Sequence, residues 1–223
     1  MGSAYIGLAE GGSLTATGPS SIQTEILLNS AGHVSQGSPS YIGQVTQDEG
    51  AEQYLGMARG DAAAAADCAA SLASAVHLAS VSITEPSANM TIAAEHTITV
   101  VHLKDLILAN GTLTLSSHVQ HDPPPTLIIN ISGTFQMNGN SKIVLEGTLD
   151  ELHVLFNVIG IGEDVVLSGE PGVDGHPTTQ MSGVLLAPLR NITLSSAQVN
   201  GTVLGGAGLI GVLSGSQIVR HLQ

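Results

Sequence analysis

Apolar and polar residues alternate over short stretches through most of the chain. The runs at 94–101 (AEHTITVV), 106–115 with a break at Asn110-Gly111, 126–132 (TLIINIS), 142–145, 152–159 (LHVLFNVI), 165–167, 183–186, 191–194 and 198–204 are rich in Val, Ile, Leu and Thr and are bounded by Gly, Asn and Ser. That texture predicts short β-strands joined by tight turns. Residues 13–47 carry it in weaker form. A loose Gly-Thr-apolar repeat, as in Gly111-Thr112-Leu113, Gly133-Thr134-Phe135 and Gly201-Thr202-Val203, recurs without a fixed period. One segment breaks the pattern. Residues 61–80, DAAAAADCAASLASAVHLAS, lack Gly and Pro and are dominated by Ala, the strongest helix former. Asp61 after Gly60 reads as an N-cap, and Ala69, Leu72, Val76 and Ala79 recur at three and four residues as one apolar stripe. Such a helix is about 30 Å long and covers roughly six coils stacked about 4.8 Å apart. The pattern therefore predicts a mostly β chain, a single solenoid domain over 1–223. A long helix, 61–80, enters after the first coils and packs along a flank.

Charge narrows the partners. Five Lys and Arg stand against 18 Asp and Glu, a net charge of −13. A chain of that sign repels phosphate backbones and anionic lipid, so neither nucleic acid nor membrane insertion is expected. Aromatic residues make up 2%, too few for the stacking platforms that single strands use. No run of eighteen apolar residues is present, and neither a signal peptide nor an anchor is visible in the chain.

Candidate chemistry is sparse. Lyases and hydrolases need convergent carboxylates and a basic group, whereas the basic residues Arg59, Lys104, Lys142, Arg190 and Arg220 are scattered. No catalytic residue, cofactor or metal site is assigned. His118-Val119-Gln120-His121-Asp122 before three prolines has ligand-type residues but reads as a polar loop between strands. Glu163-Asp164 and residues 170–176 read as solvated acidic turns, because no complete calcium loop is present. Arg59-Gly60-Asp61 is ordinary helix-cap chemistry, and Cys68 is expected to be a buried small apolar residue. Five glycosylation sequons occur, at Asn89, Asn110, Asn130, Asn191 and Asn200.

Residues 182–206, SGVLLAPLRNITLSSAQVNGTVLGG, carry G-x-L-L-A-P, then I-T-L, then V-N-G-x-V. With Leu127-Ile128-Ile129-Asn130-Ile131-Ser132-Gly133 and Val154-Leu155-Phe156-Asn157-Val158 upstream, this resembles the bacterial choice-of-anchor A adhesive domains. Gly139-Asn140-Ser141-Lys142-Ile143-Val144-Leu145 is similar to a strand signature of the microbial ice-binding β-solenoid family, which also packs one Ala-rich helix along its coils. The resemblance covers about residues 100–213. The chain departs from it in an inserted loop at 169–180, in Leu189-Arg190 where a small polar pair is usual, and over the first 50 residues.

The resemblance implies a right-handed β-solenoid and a non-catalytic module, extracellular or on the cell surface, for adhesion or structural assembly through flat coil faces. The alternative is an ice-binding protein. The expected partner is an extended surface, a matrix polymer or ice, with self-association possible through the coil ends. Threonines in alternating strands are the candidate contacts: Thr97 and Thr99, Thr112 and Thr114, Thr134 and Thr193.

Overall fold

The computed structural model describes residues 5–8, 13–18, 21–22, 25–28, 33–37, 41–42, 45–47, 51–118, 124–172, 176–205, 209–213 and 215–219. The chain forms a β-solenoid of parallel strands with one helix against it. Seven short strands come first: β1 (Tyr5–Leu8), β2 (Ser13–Ala16), β3 (Ser21–Ile22), β4 (Glu25–Leu28), β5 (His33–Gln36), β6 (Tyr41–Ile42) and β7 (Val45–Gln47). Helix α1 (Ala51–Ser71) follows. The remaining strands are β8 (Val76–Ile83), β9 (Asn89–Ala93), β10 (Ile98–Ala109), β11 (Thr112–Ser117), β12 (Thr126–Ile131), β13 (Phe135–Gly139), β14 (Lys142–Gly147), β15 (Val154–Val158), β16 (Val165–Gly169), β17 (Thr179–Ala187), β18 (Ile192–Ser195), β19 (Ala197–Gly205), β20 (Leu209–Val212) and β21 (Gln217–Val219).

Each coil contributes to three faces. The first, here the helix face, takes the leading half of β8 and of β10, then β12, β15 and the trailing halves of β17 and β19. The hydroxyl face takes the trailing halves of β8 and β10, then β13, β16, β18, β20, β2 and β5. The amide face takes β9, β11, β14, the leading halves of β17 and β19, then β21, β3 and β6. Inward side chains from all three make one core. Phe135 and Phe156, stacked 5.8 Å apart, sit within it.

The coils do not stack in chain order. The coil ending in β20 and β21 is followed in space by β2 and β3, so the beginning of the chain docks beneath its end. Helix α1 makes this order possible. It leaves the far end after β7 and touches β4, β1, β19, β17, β15 and β12. Its 21 residues span about 31 Å, and the six strand steps from β7 to β12 span about 29 Å.

The helix therefore lies ten residues earlier than the 61–80 expected. Gly56 and Gly60 each cost about 1 kcal/mol relative to Ala, and docking onto a sheet outweighs that. At the other end Ser71 Oγ donates to Cys68 O in the last turn, and the Ala75 N–H donates to Val100 O at 2.8 Å as the chain joins the sheet. Val76 to Ile83 then pairs with β10 instead of continuing the turn. Of the expected stripe only Ala69 is buried; Leu72, Val76 and Ala79 are exposed. Asp61 lies inside the helix, so Arg59-Gly60-Asp61 is mid-helix and not a cap. Cys68 is exposed, contrary to expectation, because Ala66 and Ala69 are the residues that face the sheet.

Two corners show how sequence turns the chain. Between the hydroxyl and amide faces, residues with positive φ recur: Ser87 (66°), Asn110 (64°), Gly139 (66°), Ser196 (48°) and Gly215 (77°). Asn tolerates that region well among non-glycine residues. Between the amide and helix faces, β17 and β19 turn within a strand at Gly183 and Gly201, with φ of 136° and 142°. A Cβ on Gly201 would lie 2.2 Å from Gly183 O, so only glycine fits.

Candidate functional site

The ladders fix which side chains point outward, and thereby define two broad faces that α1 leaves uncovered. On the hydroxyl face one outward column runs through Ser82, Ile107, Gln136, Val166, Thr193, Gly211, Thr15 and Ser35, in continuous register. A second runs through Ala109, Asn138, Ser168 and Ser195. These are hydroxyls, small aliphatics and amides, and neither column holds a charge. In a chain with 18 acidic residues the carboxylates lie elsewhere. Asp61 and Asp67 are on α1, while Glu85, Glu95, Asp105, Asp150, Glu163 and Glu170 are at corners.

The amide face differs. Its outward column reads Asn89, Thr112, Lys142, Gln180, Gln198 and Gln217. Beside it stand Thr91, Thr114 and Val144 in the first coils and Ser182, Asn200 and Val219 in the last.

The helix face is closed. Ala69 packs on Val100 and Ile128, with Leu155 beside them. Two buried asparagines then tie the helix to the sheet. Asn130 Nδ2 donates to Ala69 O at 2.7 Å, satisfying a carbonyl in the last helical turn. Asn157 Nδ2 donates to Ala66 O at 2.8 Å and to Asn130 Oδ1 at 2.7 Å. Because Asn130 is 1% exposed, its sequon is closed in the folded chain.

The six candidate threonines do not come together. Thr193 is in the hydroxyl column, and Thr112 and Thr114 are on the amide face. Thr134 sits at the corner between the helix and hydroxyl faces, where its hydroxyl donates to Glu163 Oε2. Thr97 is exposed just before β10. Thr99 is 2% exposed and is corrected as a contact residue: it shares strand parity with Val101 and Leu103 and points inward. His118 is exposed, and the rest of its expected cluster, 119–122, lies outside the described residues, as do 173–175 of the acidic loop. Among the described residues no group of His, Cys, Asp or Glu is arranged to hold a metal.

Two polar residues missed by pattern reading hold the corner between the helix and hydroxyl faces. Arg190, 2% exposed, donates to the carbonyls of Gly160, Gly133, Glu163, Ser132 and Ile159, which belong to two preceding coils. Burial pulls its guanidinium below the ordinary value, and nearby Glu163 opposes that. Asp105 accepts from Thr134 N and from Ser80 Oγ, both at 2.9 Å. The Thr134 backbone bond, then the Ser80 hydroxyl, holds its carboxyl below the usual range.

Residues 2–209 match the sequence family described as "Putative Ice-binding-like adhesive domain". The match begins at residue 2, which corrects the expectation that the first 50 residues stand apart. No curated relative matches the chain. Among solved structures, an ice-binding protein from the Antarctic ascomycete Antarctomyces psychrotrophicus superposes with a TM-score of 0.69 at 17% identity, covering 99% of this chain and 96% of that one. An antifreeze ice-binding protein from an Arctic yeast gives 0.69 at 18% identity, over 99% and 92%. One from an Antarctic Flavobacteriaceae bacterium gives 0.65 at 19%, over 98% and 45%. Likeness at these identities is likeness of fold.

Proposed function

The chain belongs to the ice-binding-like adhesive domain family, and on that premise we propose that it is a non-catalytic, extracellular or cell-surface module that grips an extended surface through its hydroxyl face. The carrying observation is the charge-free outward column of eight residues in a strongly acidic chain. A stacked sheet holds those groups in register before contact, so little conformational entropy is lost when a periodic partner docks. Neutral, small side chains also avoid the desolvation penalty that carboxylates would impose on a dry interface.

A second reading, ice as that surface, is favoured by the mixture of Thr and Ser hydroxyls with Ile107 and Val166 on one continuous ladder, and by the ice-binding proteins that share the fold. Thermal hysteresis and recrystallisation assays separate the two. Activity at low protein concentration that is abolished by Thr193→Tyr supports ice. Retention of the chain on immobilised surfaces that is lost in the same variant, without any effect on ice, supports adhesion. If Thr193→Tyr changes neither readout, the hydroxyl face is not the contact.

A further inference from the structure

The amide face has a chemistry of its own that surface attachment through the hydroxyl face does not use. We propose that it binds a neutral, linear polysaccharide lying along the stack axis, across the strands. Three observations point there.

First, Gln180, Gln198 and Gln217 are register partners on successive coils, with Lys142, Thr112 and Asn89 higher in the same column and Asn200 in the next. Stacked coils repeat about every 4.8 Å. An amide both donates and accepts, as a sugar hydroxyl does, so one side-chain type repeated at this spacing suits a chain of repeating hydroxylated units.

Second, the side chains are held in place before any ligand arrives. Gln198 Nε2 donates to Asn200 Oδ1 at 2.6 Å, and Gln180 Nε2 donates to Pro177 O at 3.3 Å. Both glutamines and Asn200 are half-buried, not splayed into water. Ordering them costs little on binding.

Third, the longer corner segments border this face. Residues 94–97 and 148–153 link it to the helix face, and residues 170–172 and 176–178 stand where the chain enters it from the hydroxyl face. The hydroxyl face has no comparable border on its helix side through the first coils, where β8 and β10 pass straight from one face to the other. Those border segments carry Glu95, Asp150, Glu151 and Glu170, whereas the face itself carries Lys142 and Glu146, whose charges are of opposite sign. Acidic borders around a floor of no net charge disfavour uronic or sulfated chains and admit neutral ones.

The scarcity of aromatic rings, 2% of the chain, sets the kind of binding. Without stacking, each sugar contributes only the small net gain of hydrogen bonds exchanged with water. Affinity then comes from many repeats on one chain, so polymers bind and short oligomers do not.

The test is native affinity electrophoresis of the full chain through gels containing hydroxyethyl cellulose, xylan, glucomannan or, as the anionic control, alginate. Retardation by at least one neutral polymer is expected, with no competition from cellohexaose at equal mass. It is expected to fall at least tenfold in apparent affinity in the triple variant Gln180→Ala, Gln198→Ala, Gln217→Ala, and to persist in Thr193→Tyr. Unchanged circular dichroism and melting of the triple variant keep the comparison valid; the single variant Gln198→Ala, with a smaller loss, serves if the triple one is unstable. No retardation by any neutral polymer, equal retardation of wild type and variant, or retardation by alginate alone would overturn the proposal. So would concentration-dependent self-association, lost in the variant, without polysaccharide retardation. Because Thr193→Tyr is the control, failure here leaves attachment through the hydroxyl face standing, and the reverse holds.

Discussion

The helix face and the hydroxyl face are made by neighbouring segments of the same coils, and their inward side chains merge in one core. They part company only at the outward positions. Val100, Ile128, Leu155 and Val184 form an apolar column on one; Ile107, Gln136, Val166 and Thr193 form a mixed column on the other. The first is roofed by α1 and the second is not. In a solenoid, then, it is every second residue of a strand that decides whether a face is interior or surface. The asparagines add register to this. An apolar column alone would let an alanine helix slide, whereas Asn130 and Asn157 donate to particular carbonyls, those of Ala69 and Ala66.

The corner between the two faces is where the comparison breaks most easily. Arg190→Met would strand the carbonyls that the guanidinium now binds. A loss of about 3–5 kcal/mol is expected, as for removal of one partner from a buried polar network, or a fall in melting temperature of roughly 10 °C for a chain of this size. Arg190→Lys should recover only part, since one ammonium cannot reproduce the planar fork. Calorimetry showing a shift under about 2 °C would mean that the corner does not depend on this residue.

The next largest effect contrasts equal insertions on the two faces. Ala69→Leu forces extra methyl groups between α1 and the Val100–Ile128 pair, costing about 1–3 kcal/mol. Ala109→Leu on the hydroxyl face adds the same three carbons facing water and should stay within about 0.5 kcal/mol. Equal shifts in urea midpoints would show that α1 does not seal its face.

Much of this organisation was legible in the chain. Strand positions followed from alternation, because the parity that buries Leu113 and Leu115 also exposes Thr112 and Thr114. The helix was legible as a rod of fitting length but not in its limits. Its first ten residues contain two glycines, and only contact with the sheet pays for them. Thr99 was misread because Thr97-x-Thr99 looks like an outward pair until the corner before β10 is placed. Arg190 stood out only as a departure from the family pattern; its role left no signal, since its partners are backbone carbonyls that any residue supplies. The docking of β2 beneath β20 was equally silent: it joins segments almost 200 residues apart, and no local pattern records which coil follows which. Asn130 and Asn157 did leave one, as amides inside otherwise apolar strands, although their helix partners could not be inferred.

A smaller, pH-dependent effect sharpens the same corner. Asp105 titrates below its unfolded value of about 3.9, so the ionised form is favoured by folding. Its contribution is complete above that unfolded value and fades as pH falls through the lowered folded one. The stability gap between wild type and Asp105→Asn should therefore be constant from pH 5 to 7 and narrow below about pH 4. Urea titrations at a series of pH values measure it; a gap that widens on acidification would reverse the assigned direction.

The smallest expected effect on stability says the most about function. Thr193→Val replaces a hydroxyl with a methyl of nearly the same size on the outward column. The inward neighbours Ile192 and Leu194 are untouched at 0% exposure. Melting temperature should move by about 1 °C or less, because β-branched residues suit a strand equally well. If surface attachment nevertheless weakens several-fold, the hydroxyl is there for the partner and not for the fold. If stability falls instead, by more than the helix-face insertion costs, the outward column is structural, and the division between a roofed face and a working face loses its basis.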